Sequence, residues 1–143
     1  MSVTASSRVR ARHTLAVATG RHRELVDITS RVRAAVRDSG MRQGQCLLFV
    51  PHTTAALTIN ENADPDVPRD MLTAFDDMLG DEKRFRHYEG NAGAHVLSSL
   101  LGVSLTLWIE DDDLALGQWQ AVYFCEFDGP RQREVWVRLI EDG

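Results

Sequence analysis

The chain has 143 residues, a length that accommodates one hydrophobic core, because only longer chains divide into several. Its 43% apolar and 26% charged residues are typical of a globular protein and exclude a disordered or fibrous chain. The net charge of −5 argues against a protein that binds duplex nucleic acid, whose surface should be basic. No apolar run approaches the roughly 20 residues that span a bilayer, and the polar N-terminus does not resemble a signal peptide. We therefore expect a single cytoplasmic domain over residues 1–143, with no membrane or nucleic-acid partner.

The first half of the chain shows four strand patterns and two helix patterns. Short runs of apolar and β-branched residues predict strands at 13–19, 24–28, 45–50 and 56–62. A helix is indicated between the second and third strands, because Val32, Ala35 and Val36 recur at helical spacing until Gly40. A second amphipathic helix follows the fourth strand, with Pro68 in its first turn.

The second half begins with a polar stretch and ends in strands. After the second helix ends at Gly80, residues 81–93 are polar, and residues 94–101 predict a short third helix. Apolar and polar residues then alternate over 103–109, which is typical of a strand. Further strands are predicted at 114–118, 120–127 and 134–140, with turns at 111–113 and 128–130. The predicted class is α+β, a largely antiparallel β-sheet or sandwich with two to three helices.

Three histidines are candidate catalytic and metal-binding residues. His52 follows Pro51, which ends a strand and directs the next side chain out of the sheet. His87 lies in the polar stretch, and His95 lies at the first turn of the third helix. Imidazole nitrogens bind a metal at about 2.1 Å, so histidines from a loop and a helix can converge on one ion, with water completing an open site. The alternative is that each histidine bonds only to a nearby carbonyl or caps a helix.

A glycine-rich turn, a carboxylate and an arginine are the other candidates. Gly90, Asn91 and Gly93 lie just before the third helix, where backbone N–H groups favour a phosphate; the alternative is an ordinary turn at the end of the preceding segment. Glu61 shares a strand face with apolar residues, so it lies either at an exposed strand end or beside a partner, since an unpaired buried charge is costly. Arg131, at a predicted turn, either binds an anion or is solvated.

The candidate residues lie in blocks that resemble the YjbQ family. The blocks are residues 52–66 (HTTAALTINENADPD), His87, residues 90–95 (GNAGAH) and residues 117–120 (GQWQ). The resemblance extends from the first strand to Val137, with the blocks in order and at similar spacing. It implies a YjbQ-like α+β fold and a homotrimer. It also implies that His52, His87 and His95 cluster, and that Asn60 and Glu61 approach the same pocket.

The resemblance also implies an activity. The family has been linked to a secondary thiamine-phosphate synthase activity, which joins hydroxymethylpyrimidine diphosphate to hydroxyethylthiazole phosphate and releases diphosphate. We therefore expect a transferase of this kind that acts on small phosphorylated metabolites. The expected catalytic residues are His52, Glu61, His87 and His95. The expected substrate-binding residues are Asn60, Gly90, Asn91, Gly93, Gln120 and Arg131.

A divalent metal, Zn or Mg, is the implied cofactor, with His52, His87 and His95 as its ligands. Two other functions remain open: a metal-dependent hydrolase, in which bound water is the nucleophile, and a non-catalytic protein that binds a phosphorylated metabolite. Turnover distinguishes either enzyme from the binding protein.

Two positions depart from the family pattern. At Gly93, immediately before Ala94 and His95, the family commonly has an acidic residue. At Gln118, the family's Gly-Thr-Trp-Gln motif has threonine. If the acid positions a base or a histidine, Gly93→Asp should raise synthase turnover. A left-handed backbone conformation at Gly93 would accept aspartate, so we expect the fold to tolerate this substitution.

Overall fold

The computed structural model describes residues 8–87 and 89–143, so the first seven residues of the polar N-terminal stretch lie outside the described part. The strands are β1 (Arg8–Ala18), β2 (Glu24–Asp27), β3 (Gly44–Phe49), β4 (Ala55–Glu61), β5 (Ser104–Glu110), β6 (Asp113–Leu114), β7 (Gln120–Glu126) and β8 (Gln132–Glu141). The helices are α1 (Thr29–Ser39), α2 (Asp66–Leu79) and α3 (Ala92–Leu101), and a short 3-10 helix covers Glu82–Arg84. The predicted α+β class is confirmed.

The strands form two antiparallel sheets that enclose the larger core. One sheet has the order β1-β8-β3-β5-β6 and the other the order β2-β7-β4. Their inner faces meet through side chains such as Leu48, Val137 and Phe124, which are buried in one cluster. Val32 and Val36 of α1 join this cluster, as their helical spacing predicts. The other face of the five-stranded sheet is left outside the core.

A second, smaller core lies on the opposite face of the three-stranded sheet. Cys125 of β7 packs there in one cluster with Leu79 of α2 and Leu97 of α3. Strand β7 is therefore buried on both faces, which explains its near-continuous apolar sequence. The hydroxyl of Ser98 donates to the carbonyl oxygen of Ala55 at 2.6 Å and fixes α3 against the start of β4. This contact places the first turn of α3 beside the end of the sheet where β4 begins.

Three predicted elements differ in the structure. Strand β1 begins at Arg8 rather than at residue 13, because β8 pairs with the arginine-bearing segment as far as Glu141. The strand predicted at 114–118 is limited to Asp113–Leu114, since the side-chain oxygen of Gln120 accepts the N–H of Gly117 and turns the chain. The polar stretch contains the short 3-10 helix. Among the described residues, no helix has the length and apolar character needed to cross a membrane.

Candidate functional site

The predicted site residues lie at two ends of the three-stranded sheet. His52 precedes β4, whereas Asn60 and Glu61 end this strand and pair with Ala121 and Gln120 of β7. A strand rises about 3.3 Å per residue, so the two ends of β4 lie about 20 Å apart. We call them the histidine end and the Glu61 end. One chain by itself therefore does not gather both groups in a single small pocket.

A buried ion pair underlies the histidine end. Arg133 donates from Nη2 to Oε2 of Glu126 at 2.5 Å, and the two side chains are 5% and 0% exposed. Arg133 also donates to the hydroxyl of Thr54 at 2.8 Å, and the hydroxyl of Thr19 donates to Glu126 at 2.7 Å. Burial alone would raise the pKa of Glu126, but hydrogen bonds from Arg133, Thr19 and the N–H of Asp128 lower it. Glu126 is therefore an ionised carboxylate.

His52 is held beside this ion pair. Its Nε2 accepts the backbone N–H of Glu134 at 3.0 Å, which places the proton of the neutral ring on Nδ1. Burial, and then the positive charge of Arg133, lower the pKa of His52, while the carboxylates of Glu134 and Glu126 oppose this shift. His52 is therefore a neutral imidazole at pH 7, and the group that it offers to a ligand is the Nδ1–H donor.

His87 and His95 meet near the start of α3. Their ring centroids are 5.2 Å apart, and their planes cross at 86° in an edge-to-face contact. His95 lies in the first turn of α3 and is half-buried, whereas His87 is exposed in the preceding loop, with Nε2 3.5 Å from a carboxylate oxygen of Glu89. The structure thus brings together the two histidines that are eight residues apart in the sequence.

Asn91 and Arg131 meet on the carboxylate of Asp128. Asn91 Nδ2 and Arg131 Nη2 each donate to Oδ2 of Asp128 at 2.9 Å. Burial alone would raise the pKa of Asp128, but the hydrogen bonds from Asn91 and Arg131 lower it. Asn91 Oδ1 is buried and has no hydrogen-bond partner among the described residues. Asn91 immediately precedes α3, shares Asp128 with Arg131, and is followed one turn later by His95, which contacts His87. We refer to His87, Asn91, His95 and Arg131 as the α3 cluster.

The two glycines of the predicted phosphate turn differ in conformation. Gly90 has a φ of 78°, in the left-handed region that favours glycine. Gly93 is instead a buried residue of α3, and its N–H donates to Oε1 of Glu82 at 2.9 Å. A Cβ atom at Gly93 would overlap this oxygen and lie 2.7 Å from Cδ1 of Leu79. The expected left-handed conformation at Gly93 is therefore wrong. The Glu82 carboxylate already accepts the hydrogen bond from the Gly93 N–H.

Asn60, Glu61 and Gln120 form the Glu61 end. The side-chain oxygen of Asn60 accepts the N–H of Glu61 at 2.7 Å, and Glu61 is partly exposed where β4 ends. Gln120 lines a cleft of about 650 Å³ together with Arg33 and Arg37 of α1. The helix arginines were not among the predicted site residues, because their spacing marks only the polar face of α1.

Only two of the three predicted metal ligands adjoin each other. His87 and His95 are in ring contact, but the Nε2 lone pair of His52 is used by the N–H of Glu134. Across residues 8–87 and 89–143, no group of three or more His, Cys, Asp or Glu side chains is placed to hold a metal ion. The described part of one chain does not fit a three-histidine metal centre.

Comparison with known proteins identifies the family. The family model described as UPF0047 protein YjbQ-like matches residues 13–142. UPF0047 protein YugU of Bacillus subtilis is 47% identical over 89% of this chain and 97% of its own length. UPF0047 protein MJ1081 of Methanocaldococcus jannaschii is 45% identical over 88% of this chain and 91% of its own length.

Solved structures agree with these sequence relatives. An uncharacterized conserved protein of the YjbQ/UPF0047 family from Clostridium acetobutylicum has a TM-score of 0.86 and 46% identity, covering 89% of this chain and 98% of that one. A YbjQ-like protein from Sulfolobus solfataricus has a TM-score of 0.89 and 33% identity, covering 95% and 99%. The resemblance in the residue blocks is confirmed, and the chain belongs to the YjbQ/UPF0047 family.

Proposed function

We propose that the chain binds the phosphorylated group of a small metabolite at the α3 cluster and acts as a secondary thiamine-phosphate synthase. The observation that carries this proposal is the arrangement of Asn91 and Arg131 on Asp128, next to the start of α3, where His87 and His95 are paired. The particular substrates, a pyrimidine diphosphate and a thiazole phosphate, rest on the family resemblance.

The α3 cluster suits an anionic oxygen for three reasons. The guanidinium of Arg131 has five donors, of which Nε and one at Nη2 are directed to Asp128, and its side chain is 52% exposed. Guanidinium groups bind phosphate through pairs of strong hydrogen bonds. The N-terminus of a helix also favours a negative charge, and His95 lies in the first turn of α3.

The reaction requires stabilisation of a leaving group. The bond between the pyrimidine methylene carbon and the diphosphate oxygen breaks, and the thiazole nitrogen forms a new bond to that carbon. Diphosphate departs with the electron pair of the broken bond. Donors that contact the departing oxygens lower the barrier, and in this proposal they are the two imidazoles of the α3 cluster and the donors of Arg131 that Asp128 does not use. His95 or His87 in its protonated form transfers a proton to the leaving oxygen.

The Glu61 end takes part through a second copy of the chain. Because β4 separates His52 from Glu61 by about 20 Å, a pocket that contains both residues needs the Glu61 end of a neighbouring copy. The homotrimer implied by the resemblance would provide such a neighbour. The expected location is cytoplasmic, because charged diphosphates do not cross an apolar membrane unaided.

The test is turnover with both phosphorylated substrates, measured as thiamine phosphate and diphosphate formed together. His95→Ala should lower kcat/KM by about 10²-fold, the lower end of the effect of a catalytic acid or base. Arg131→Ala should lower it by about 10²-fold as well, the effect of removing one donor to a developing negative charge. Arg31→Ala is the matched control, because Arg31 is exposed on α1. Diphosphate released without thiamine phosphate would identify a hydrolase, and binding without turnover would identify a binding protein.

A further inference from the structure

A polar cleft, which we call the α1 cleft, lies between α1 and the Glu61 end. Its volume of about 650 Å³ is within the range of small-molecule sites, about 300–1,000 Å³. Its lining includes Asp27, Arg33, Arg37, Asn62 and Gln120. Two of these side chains are cationic, although the chain as a whole has a net charge of −5.

Arg33 and Arg37 place two guanidinium groups on one wall of the α1 cleft. Residues at this i, i+4 spacing share one face of a helix, where like charges destabilise it. Nε of Arg33 donates to Oδ1 of Asp113 at 3.1 Å, which fixes the guanidinium and leaves its Nη donors for a ligand. In the described part of the chain, Arg37 forms no ion pair. An anion held by both groups would remove their repulsion and accept paired hydrogen bonds.

The end of the α1 cleft near the start of the helix offers acceptors. Oδ1 of Asp27 accepts the N–H and the hydroxyl of Thr29 at 2.9 and 2.6 Å, and Oδ2 accepts Nδ2 of Asn62 at 2.7 Å. Asp27 therefore already places a negative charge at the N-terminus of α1, and an anion bound there would be repelled. The side-chain oxygen of Asn62 accepts no hydrogen bond from the described residues, and Oδ2 of Asp27 can accept one more. This end suits the hydroxyl groups of a ligand.

The two ends of the α1 cleft lie within reach of one small molecule. From Thr29 to the midpoint between Arg33 and Arg37, the helix rises about 9 Å at 1.5 Å per residue. A ligand that contacts both ends has an anionic group joined by a short carbon chain to hydroxyl groups. We propose that the α1 cleft binds a sugar phosphate, with the phosphate at the two arginines and the hydroxyls at Asp27 and Asn62. The sugar phosphate is either free or part of a nucleotide, since both contain this chemistry.

The α1 cleft is separate from the α3 cluster. Asn62 follows β4 and Gln120 begins β7, so both residues lie at the Glu61 end. The strand β4 places this end about 20 Å from the histidine end. The inference concerns binding beside α1 and does not depend on the proposed reaction. Signals from α1 test the binding, whereas turnover tests the reaction, so failure of one is distinguishable from failure of the other.

The first test follows the amide N–H signals of α1 by NMR while the full chain is titrated with ribose 5-phosphate. The signals of residues 30–37 should shift with a Kd of about 1 mM or lower. Ribose should cause no shift, and inorganic phosphate should bind about tenfold more weakly, because it lacks the sugar hydroxyls. Tighter binding of adenosine monophosphate than of ribose 5-phosphate would identify a nucleotide, and weaker binding a free sugar phosphate. No shift of these signals at about 10 mM ribose 5-phosphate, or equal affinity for inorganic phosphate, would overturn the inference.

The second test compares Arg37→Ala with Arg31→Ala. Both arginines are exposed on α1, but Arg31 does not line the cleft, so it is the matched control. Arg37→Ala should raise the Kd for ribose 5-phosphate about tenfold, because it removes a pair of charge-assisted hydrogen bonds. Arg37 also lies in the last turn of α1, where a cation stabilises the helix. A thermal melt of each variant therefore separates a loss of folding from a loss of binding.

Two further variants locate the two ends of the ligand. Asn62→Ala should weaken the binding of ribose 5-phosphate but not that of inorganic phosphate, because only the sugar has hydroxyls for this end. Arg131→Ala should leave the Kd measured from the α1 signals unchanged, because Arg131 belongs to the α3 cluster. An unchanged Kd in folded Arg37→Ala, or a raised Kd in Arg131→Ala, would overturn the inference.

Discussion

Arg133 of the five-stranded sheet and Glu126 of the three-stranded sheet form an ion pair that joins the two sheets at the histidine end. The shortest contact between them is 2.5 Å, and both side chains are buried. The hydroxyls of Thr19 and Thr54, which adjoin β1 and β4, complete the network. The network therefore sets the position of the backbone on which His52 and Asp128 lie.

Removal of one partner of the ion pair between Glu126 and Arg133 should lower the free energy of unfolding far more than removal of both partners. Glu126→Gln leaves the Arg133 guanidinium buried without its counter-charge, and we expect a loss of about 3–5 kcal/mol in the free energy of unfolding. The double variant Glu126→Leu/Arg133→Leu should lose less, because no charge remains to be desolvated. Urea unfolding of the two variants and the wild type measures both losses. A double variant less stable than Glu126→Gln would contradict this account.

The free energy of unfolding should fall on mild acidification, partly because of His52. The pKa of His52 is lowered in the folded chain, so the unfolded chain binds this proton more readily, and the stabilising contribution is lost as the pH falls below about 6.5. His52→Gln should therefore show a smaller decrease between pH 7.5 and 5.5. This range lies above the window for Glu126, whose lowered pKa matters only below its ordinary value of 4.5. If the free energy of unfolding falls equally with pH in His52→Gln and in the wild type, His52 does not contribute to the pH dependence.

The structure reverses the expectation for Gly93→Asp. A side chain at this helical position must displace the Glu82 carboxylate, which also contacts Arg23 at 3.3 Å. We expect a loss of about 1–3 kcal/mol in the free energy of unfolding, as for other overpacked sites. Synthase turnover should not rise, because Glu82 already places a carboxylate against the N–H of Gly93. Unfolding and turnover measured on the same preparation test both statements.

A second substitution separates the steric effect from the charge effect. Glu82→Ala removes the carboxylate that would overlap the new side chain, so Gly93→Asp should cost less stability in this background than in the wild type. If Gly93→Asp loses the same free energy of unfolding in both backgrounds, the loss is due to overlap with Leu79, whose Cδ1 would lie 2.7 Å from the added Cβ atom.

Local patterns predicted the elements whose limits depend on nearby residues. α1 and α2 follow from helical spacing, and β5 follows from alternation over 103–109. The early start of β1 was missed, because it depends on pairing with β8, more than a hundred residues away. The ion pair between Glu126 and Arg133 was missed for a related reason: it depends on how two sheets are placed, which no local pattern records.

The structure brings some of the predicted site residues together and separates others along β4. The contact between His87 and His95 was anticipated from a loop and a helix start that adjoin in the chain. The separation of His52 from Glu61 could have been predicted, since the strand between them alone requires about 20 Å. The resemblance places these residues in one pocket, which stays a prediction for an assembly of several copies.

The α3 cluster should contribute to ligand binding more than to stability. His87 is exposed and His95 is half-buried, so neither ring supplies much of the core, and His87→Ala and His95→Ala should change the thermal melt little. Each removes a strong hydrogen bond to an anionic oxygen, so the Kd for diphosphate should rise about tenfold or more, corresponding to about 1.5–3 kcal/mol. Calorimetric titration of diphosphate and a melt of the same preparation measure the two effects, with Arg31→Ala as the control. If the melts fall sharply while the folded fraction binds diphosphate as the wild type does, the two histidines support the structure rather than the ligand.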